Sequence, residues 1–244
     1  MKRFKVDLHI HSCLSPCADL DMSPRAIVER SVGNGLDVIA VSDHNSAENI
    51  QATIRAAVPY DLHVLSGLEI NSREEAHVLA IFEDAEKALI MQSIVYNHLK
   101  GTNRPELFGD QVVANEFDEV ERFNDRMLIN ATQLGLHDIV METHRLGGLS
   151  IASHVDRPSY SILSQLGFIP PDLKLDALEI SRNMDKTSVK RNLPEVGEFP
   201  IVTFSDAHFL DDIGQAYTSF FIEAPTMDEM RMALEKKSGR RVEI

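Results

Sequence analysis

The sequence predicts an α/β fold built on a parallel sheet, either open or closed into a barrel. Short apolar runs of strand length alternate with helical patterns in the first third of the chain, and the last third repeats the alternation. The 244 residues are 43% hydrophobic and 25% charged, which is ordinary for a globular protein and enough for one large core. We therefore expect a single domain over residues 1–244.

The first third supplies four expected strands, at residues 6–11, 38–42, 64–70 and 77–82. A helix is expected at residues 23–35, because Ser23 can act as its N-cap and Pro24 can occupy its first position. A second helix is expected at residues 45–58. In the last third the β candidates are residues 149–155, 177–181, 200–205 and 219–223. Helices are expected there near residues 185–192 and 227–237.

Between about residues 84 and 147 the alternation stops. Helical patterns lie at residues 85–99, 116–134 and 137–146. A break around residues 101–105 predicts a loop, and Gly147-Gly148 ends the last helical pattern. We interpret the segment as a helical insertion on a β/α scaffold.

The composition argues against several classes of function. A formal net charge of -14 disfavours a broad surface that wraps nucleic acid, although a small or terminal phosphate remains compatible with a metal site. The two cysteines, Cys13 and Cys17, have no second pair to complete a zinc site or a disulfide framework. No apolar stretch approaches the roughly 20 residues of a membrane helix, and the first residues do not resemble a signal peptide. We expect a cytoplasmic protein that does not bind membranes.

Metal-ligand side chains gather at the ends of the expected strands. His9 and His11 alternate in the first strand, so both imidazoles can point toward one ion without bending the backbone. The later candidates are Asp43, His44, Glu69, His154, Asp206 and His208. In parallel β/α folds the loops that build active sites converge at the carboxyl-terminal edge of the sheet. The pattern predicts a metalloenzyme.

Each position also has a structural explanation when taken alone. A strand-end histidine can be a hydrogen-bonded structural residue, Asp43 and Asp206 can cap a helix or start a turn, and Glu69 can be a surface charge. The agreement of five strand ends favours metal, and a carboxylate flanked by buried residues needs a cation. Spacing alone leaves His77 undecided. The remaining histidines are expected to be structural: His63, His98, His137 and His144.

Six motifs carry a resemblance to a known family: Asp7-Leu8-His9-Ile10-His11-Ser12, Val41-Ser42-Asp43-His44-Asn45, Gly67-Leu68-Glu69-Ile70, His77-Val78-Leu79, Ala152-Ser153-His154 and Ser205-Asp206-Ala207-His208. Their residues and order resemble the PHP family, the polymerase and histidinol phosphatase superfamily. The resemblance spans residues 6–208.

The resemblance implies a distorted (β/α)7 barrel, similar to a TIM barrel, with two or three divalent metal ions at its carboxyl-terminal edge. The residues that it implies for the first ion are His9, His11, Glu69 and Asp206. Glu69 would bridge to a second ion held by His77 and His154. His44 and His208 would hold a third ion or contact the substrate phosphate.

One position departs from the family pattern. Three-metal members usually supply a further histidine a few residues after the His-x-His pair, and here Cys17 occupies about that position. A thiolate can bind zinc, so Cys17 is a candidate ligand of a third ion. The alternative is a small thiol in a loop.

The implied chemistry is hydrolysis of a phosphate ester. Two ions that share a carboxylate lie about 3.5–4 Å apart and can hold a bridging hydroxide that attacks phosphorus in line. His44 and His208 are candidates for phosphate contact or for the acid that protonates the leaving oxygen. Arg157 or Arg182 could donate hydrogen bonds to the phosphate oxygens that no metal ion contacts, or either could be a surface arginine. Mixed imidazole and carboxylate ligands suit Zn, Mn or Fe.

We therefore predict a metal-dependent phosphoesterase that hydrolyses a small phosphate ester, either a phosphomonoester or a nucleotide. Its expected partner is a small phosphorylated substrate, and extended nucleic-acid binding is not expected. The first alternative is a nuclease or proofreading-type phosphodiesterase that acts on nucleic-acid ends. An amidohydrolase-like enzyme of C–N bonds and a non-catalytic, metal-stabilised regulatory module are the others.

Overall fold

The computed structural model describes residues 1–184 and 186–244. Its strands, numbered in chain order, are β1 (Lys2–Ile10), β2 (Val38–Val41), β3 (His63–Asn71), β4 (His77–Phe82), β5 (Val112–Ala114), β6 (Val120–Phe123), β7 (Leu149–Ala152), β8 (Ala177–Ile180), β9 (Ile201–Thr203), β10 (Thr218–Ile222) and β11 (Arg241–Glu243). Its α-helices are α1 (Pro24–Gly33), α2 (Ile50–Ala57), α3 (Ala85–His98), α4 (Pro105–Phe108), α5 (Leu136–Arg145), α6 (Ile162–Leu166), α7 (Lys186–Asn192) and α8 (Met227–Leu234).

The main sheet has the strand order β11-β10-β1-β2-β3-β4-β7-β8-β9. The chain after β9 returns to the end of β1, where His11 N donates to the carbonyl of Ala207 (2.9 Å) and Ala207 N donates to that of His9 (3.2 Å). These bonds form a parallel bridge between Ile10 and Ala207. The strands from β1 to β4 and from β7 to β9 thereby nearly close into a barrel, which confirms the predicted barrel-like α/β fold.

One strand of the barrel runs against the others. β4 is antiparallel to both β3 and β7, whereas β1, β2 and β3 are mutually parallel and so are β7, β8 and β9. The expectation of an all-parallel sheet is therefore wrong at β4. Only a tight turn separates β3 from β4, and a connection that short produces a hairpin, not a parallel crossover. His77, the first residue of β4, consequently lies beside Asn71 at the end of β3.

Alternating side chains of the strands form two apolar layers. One layer packs against the helices around the sheet and includes Ile39, Val78 and Leu178. The other layer includes Val38, Leu79 and Ala177 together with residues of α8. This alternation is the two-residue period of a strand with apolar neighbours on both faces.

The insertion is less helical than predicted. α3 and α5 confirm two of its three expected helices, but residues 116–134 form the turn and second strand of a β5–β6 hairpin followed by an irregular segment. The Asn115 side chain accepts hydrogen bonds from Phe117 N (2.9 Å) and Glu119 N (3.0 Å), and Asp118 has a φ of 65°. An Asn side chain that bonds to nearby backbone N–H groups favours a turn over a helix.

Several expected boundaries shift. The helix expected at residues 45–58 begins only at Ile50, because Asn45 has a φ of 54° and its side chain donates to the carbonyls of Leu128 and Asn130. α8 ends at Leu234, ahead of left-handed Lys236 and Ser238. β11 was not predicted. Of the helix expected at residues 185–192, Asp185 lies outside the described residues. Within the described residues, no helix combines the length and apolarity needed to cross a membrane.

Candidate metal centre

Most of the predicted ligands converge on one cavity at the carboxyl-terminal edge of the barrel. The cavity has a volume of about 200 Å³. Its lining residues are Cys17, His44, Glu69, His77, Ile129, His154, Arg157, Ser159, Tyr160, Asp206 and His208. Glu69 points to the same face of β3 as Leu65, and His77 points to the same face of β4 as Leu79. Both leucines belong to the apolar layer that includes residues of α8, so the metal centre lies at one end of that layer.

Glu69 is the middle of the cluster. Its Oε1 atom lies 3.1 Å from His77 Nδ1, 3.2 Å from His9 Nε2 and 3.3 Å from His154 Nε2. Its Oε2 atom lies 3.1 Å from His44 Nδ1 and 3.5 Å from His11 Nε2. Both oxygens are therefore surrounded by imidazoles, so this carboxylate is placed to contact more than one ion.

Asp206 completes a group on one side of Glu69. Its Oδ1 atom lies 3.2 Å from the Nε2 atoms of both His9 and His11, and these two nitrogens are themselves 3.2 Å apart. The ligand atoms of these three residues all lie within 4.8 Å of one another, and the same holds for His44, Glu69 and His77. Three imidazole or carboxylate atoms at such separations can contact one divalent ion.

Two of the buried ligand atoms have no hydrogen-bond partner among the described residues, and a metal ion would satisfy them. Glu69 Oε1 and His77 Nδ1 are both buried, and neither makes a hydrogen bond of good geometry within the described structure, although they are 3.1 Å apart. Buried polar atoms of this kind are rare unless a partner such as an ion satisfies them. The residues present therefore fit a divalent metal centre.

The electrostatics of the cluster also suit a cation. Burial by itself raises the pKa of Glu69, but His77 and His9 hold it well below its usual range. Burial lowers the pKa of His11 to about 4, with a further lowering from His208, and it lowers the pKa of His44 well below its usual value. An ionised carboxylate beside neutral imidazoles is the state in which these side chains bind metal. His9 differs, because burial lowers its pKa but the charges of Glu179, Asp206 and Glu69 outweigh that effect and raise the pKa well above the usual value, so an ion bound there would have to displace a proton.

A second group of side chains orients the ligands. Both carboxylate oxygens of Glu179, in β8, lie 3.0 Å from His9 Nδ1, and His11 Nδ1 lies 3.0 Å from Ser15 Oγ. Ser15 in turn donates to Asp43, which also accepts from the Ser12 hydroxyl and backbone N–H. Sequence reasoning missed the role of Glu179, although a buried carboxylate at a strand end was the same signal that identified Glu69.

His208 belongs to a third group. Its ligand atoms lie within 4.8 Å of those of His11 and His44, and its Nε2 atom is 3.1 Å from Cys17 Sγ. The structure therefore brings Cys17 next to a predicted third-site residue. Cys17 is exposed as a residue, but the protein packed around its sulfur raises the pKa of the thiol, and the charges of Glu69 and Asp206 raise it further.

The two candidate arginines differ in their position relative to the cavity. Arg157 lines the cavity, and its Nη2 atom lies 2.5 Å from Asp206 Oδ2. Arg182 is not among the described residues that line the cavity; it pairs with Asp212 at 2.7 Å on the surface. The four histidines expected to be structural also lie outside the cavity lining: His63, His98, His137 and His144.

Family models match most of the chain. The model of the PHP domain matches residues 7–165, and a model described as PHP-associated matches residues 190–238. The chain belongs to the PHP domain family. Membership confirms the resemblance carried by the six motifs, and the similar solved structures include a metal-dependent phosphoesterase and an endonuclease, both of which act on phosphate ester bonds.

One sequence relative and two solved structures are similar to this chain. The uncharacterized protein YqxK of Bacillus subtilis is 24% identical over 260 residues, which cover 99% of this chain and 64% of that protein. The lesion-specific endonuclease PfuEndoQ of Pyrococcus furiosus has a similar structure, with a TM-score of 0.75 at 19% identity over 99% of this chain and 58% of that chain. A metal-dependent phosphoesterase of Bifidobacterium adolescentis matches with a TM-score of 0.59 at 18% identity, over 83% of this chain and 87% of that chain.

A further structure bears on the expected substrate. Endonuclease Q in complex with a 27-mer duplex, which has an abasic lesion at the active site, matches with a TM-score of 0.70 at 17% identity, over 98% of this chain and 58% of that chain. The expectation of a small phosphorylated substrate without extended nucleic-acid binding is therefore wrong. A net charge of -14 is a sum over the whole chain, and it does not set the local field at a metal centre.

Proposed function

We propose that this chain is a metal-dependent nuclease that hydrolyses phosphodiester bonds of a nucleic acid. The observation that carries the proposal is the composition of the cavity wall. One side consists of the imidazoles and carboxylates around Glu69, and the other side presents Arg157, Ser159 and Tyr160. A cation, a hydroxyl and an aromatic ring are the groups with which proteins contact phosphates and bases.

The size of the cavity supports a polymeric substrate. Sites that enclose a small molecule usually have volumes of about 300–1,000 Å³, and this cavity has about 200 Å³. It can receive a phosphate and its nearest atoms, while the rest of the substrate would lie outside the cavity. The insertion contributes only Ile129 among the described lining residues, so it leaves most of the cavity wall to the loops at the barrel edge.

We propose the following ligands for the metal ions. His9, His11, Glu69 and Asp206 would hold the first ion, and Glu69, His77 and His154 the second. His44 and His208 would hold a third ion, with Cys17 as a further ligand. Zn, Mn or Fe suits this donor set, and such ions, when bound, lower the pKa of water and neutralise charge on phosphoryl oxygens.

The chain's own side chains would position the phosphate. The exposed part of the Arg157 guanidinium would donate hydrogen bonds to a non-bridging oxygen, while its contact with Asp206 fixes its direction. His208 is about a quarter exposed and lines the cavity, so in a centre with only two ions its Nε2 atom would instead reach a leaving oxygen and give it a proton. Arg182, paired with Asp212, is not part of this arrangement.

The test is a cleavage assay with purified protein loaded in turn with Mn, Zn and Fe. The substrates are single-stranded DNA, RNA, intact duplex, duplex with an abasic site, and a panel of phosphomonoesters. We expect a polynucleotide to be cut under at least one metal, and we expect the double variant His9→Ala, Asp206→Ala to lose both the cleavage and the metal. Arg182→Ala serves as the variant that keeps both.

Two results would contradict the proposal. Release of phosphate from monoesters without cleavage of any polynucleotide would mean that the nuclease assignment is wrong. Cleavage that persists at the wild-type rate in the double variant would place the activity outside this cavity. The product ends, mapped on a sequencing gel, distinguish internal cutting from trimming at the ends.

A further inference from the structure

Tyr160 is an exposed aromatic residue held at the mouth of the cavity. Its side chain is 46% exposed, and its ring stacks on that of His77 with centroids 4.9 Å apart and planes 21° apart. The Tyr160 carbonyl also accepts a hydrogen bond from His77 N at 2.9 Å. His77 therefore covers one face of the ring, while nearly half of the residue remains accessible at the mouth of the cavity.

The backbone at Tyr160 is strained. Its φ of 55° lies in the left-handed region, which a bulky residue rarely adopts. The flanking loop is tied down, since Arg157 N donates to the carbonyl of His154 (2.9 Å) and the Ser161 hydroxyl donates to that of Arg157 (2.8 Å). Strain of this kind persists where surrounding bonds hold it, and it is concentrated at ligand sites.

We propose that Tyr160 is a base-stacking subsite, which holds the nucleobase next to the phosphate that is cleaved. The inference rests on the proposed nuclease function. Arg157 and Tyr160 lie three residues apart on one loop and line the same cavity, so the loop engages a phosphate with one side chain and a neighbouring base with the other. Every base has a π-face, so the subsite requires a base without selecting its identity.

A fluorescence experiment tests the stacking directly. The chain contains no tryptophan, so Tyr160→Trp introduces a single indole at the subsite. We expect quenching when a cleavage-resistant phosphorothioate oligonucleotide binds, and at least a two-fold weaker quenching with a matched oligonucleotide that carries abasic residues throughout. Phe221→Trp is the matched control. Phe221 pairs with Arg3 at the opposite end of β1, so its replacement should give no quenching with either strand.

A kinetic experiment tests the same subsite in the wild-type chain. We expect Tyr160→Phe to cleave within about two-fold of wild type and Tyr160→Ala to lose about 5- to 150-fold in kcat/KM, which is the range for one base–aromatic stack. Removing the base beside the cleaved bond should slow wild type by a similar factor and leave the alanine variant unaffected. Metal content should stay unchanged in both variants, which separates stacking from an effect through His77.

The outcomes are distinct from those of the nuclease assay. Quenching of equal size by normal and abasic oligonucleotides, or no quenching, would overturn the subsite even if the wild-type chain cleaves nucleic acid. Equal effects of base removal on wild type and on Tyr160→Ala would overturn it as well. A wild-type chain that cuts no polynucleotide would refute the proposed function, whereas the fluorescence comparison would still decide whether Tyr160 stacks on bases.

Discussion

Three imidazoles of the centre are held through Nδ1, whereas His44 and His77 present that nitrogen to Glu69. His9 Nδ1 faces Glu179, His11 Nδ1 faces Ser15 Oγ, and His208 Nδ1 donates to the carbonyl of Asp206 at 2.9 Å. A partner on Nδ1 fixes the tautomer and leaves the Nε2 lone pair free for an ion. The side chains are therefore oriented for metal by groups that do not themselves touch it.

Glu179→Gln tests this orientation. The amide keeps the shape of the carboxylate but lacks its charge, so His9 becomes a poorer and less well-directed ligand. We expect a 10- to 100-fold loss in metal affinity or in activity, the range for such supporting groups. Titration with a metal-sensitive dye measures the affinity. Glu29→Gln, which changes an exposed carboxylate paired with Arg25, should leave the affinity unaltered, and a similar loss there would contradict the account.

Arg157 and Arg182 form a matched pair for the phosphate contact. Their side chains are almost equally exposed, at 42% and 44%, and each pairs with one aspartate, but only Arg157 lines the cavity. We expect Arg157→Ala to lower kcat by about 100- to 1,000-fold, the usual effect of removing one donor to a developing charge. Arg182→Ala should change kcat by less than about two-fold. Steady-state rates that fall equally in both would refute the assignment.

Cys17 is tested by cobalt spectroscopy. If the thiolate binds the third ion, the protein loaded with Co²⁺ should show a sulfur-to-metal charge-transfer band in the near ultraviolet, and Cys17→Ser should abolish it. Cys13→Ser is the control, because Cys13 is buried beside the Val112 carbonyl and is not among the described residues that line the cavity. A wild-type spectrum without the band would exclude Cys17 as a ligand.

At the scale of elements, the hairpin of β3 and β4 is what admits His77 to the centre. In a parallel sheet the first residue of a strand lies at the edge opposite the ligands. Because β4 runs antiparallel to β3, its first residue lies at the ligand edge. Sequence spacing left His77 undecided for this reason: the pattern identifies both strands, but their relative direction depends on the pairing.

The insertion shows where local patterns fail. Residues 116–134 have helical spacing of apolar residues, yet buried Gln111 donates from Nε2 to the carbonyls of both Asn124 and Arg126 at 2.6 Å. Such side-chain bonds to backbone depend on partners distant in the chain, so a local window does not contain them. The convergence of His9, His11 and Glu69 was predictable because the strand period and the shared sheet edge indicate it, whereas their assignment to particular ions comes from the resemblance and stays a prediction.

Asn49→Ala tests how the β5–β6 hairpin is attached. The Asn49 side chain accepts from Ala114 N at 3.0 Å and donates to the carbonyl of Val112 at 3.0 Å, which joins the hairpin to the start of α2. Removing it leaves buried groups unsatisfied, and we expect a loss of about 1–3 kcal/mol in the free energy of unfolding. Denaturant titration gives the value. Asn97→Ala, on the exposed face of α3, should change it by less than about 0.5 kcal/mol.

At the scale of the whole molecule, one carboxylate helps to close the barrel beneath the metal centre. Asp7 Oδ1 accepts from Ser205 N and Asp7 Oδ2 from Gly214 N, each at 3.1 Å, so β1 is joined to the segments that follow β9.

Net charge describes the whole chain and misled the expectation about substrate, because chemistry depends on the field inside a small cavity. The chain spans 64% of YqxK and 58% of the endonuclease chain.

The most direct test is an anomalous-scattering map from crystals grown with Mn²⁺ and a cleavage-resistant oligonucleotide. The account predicts two ions that both contact the Glu69 carboxylate, one of them also held by His9, His11 and Asp206, with a phosphate within hydrogen-bonding distance of Arg157. A well-ordered map that shows no ion at Glu69, or ions and phosphate bound elsewhere on the surface, would contradict it.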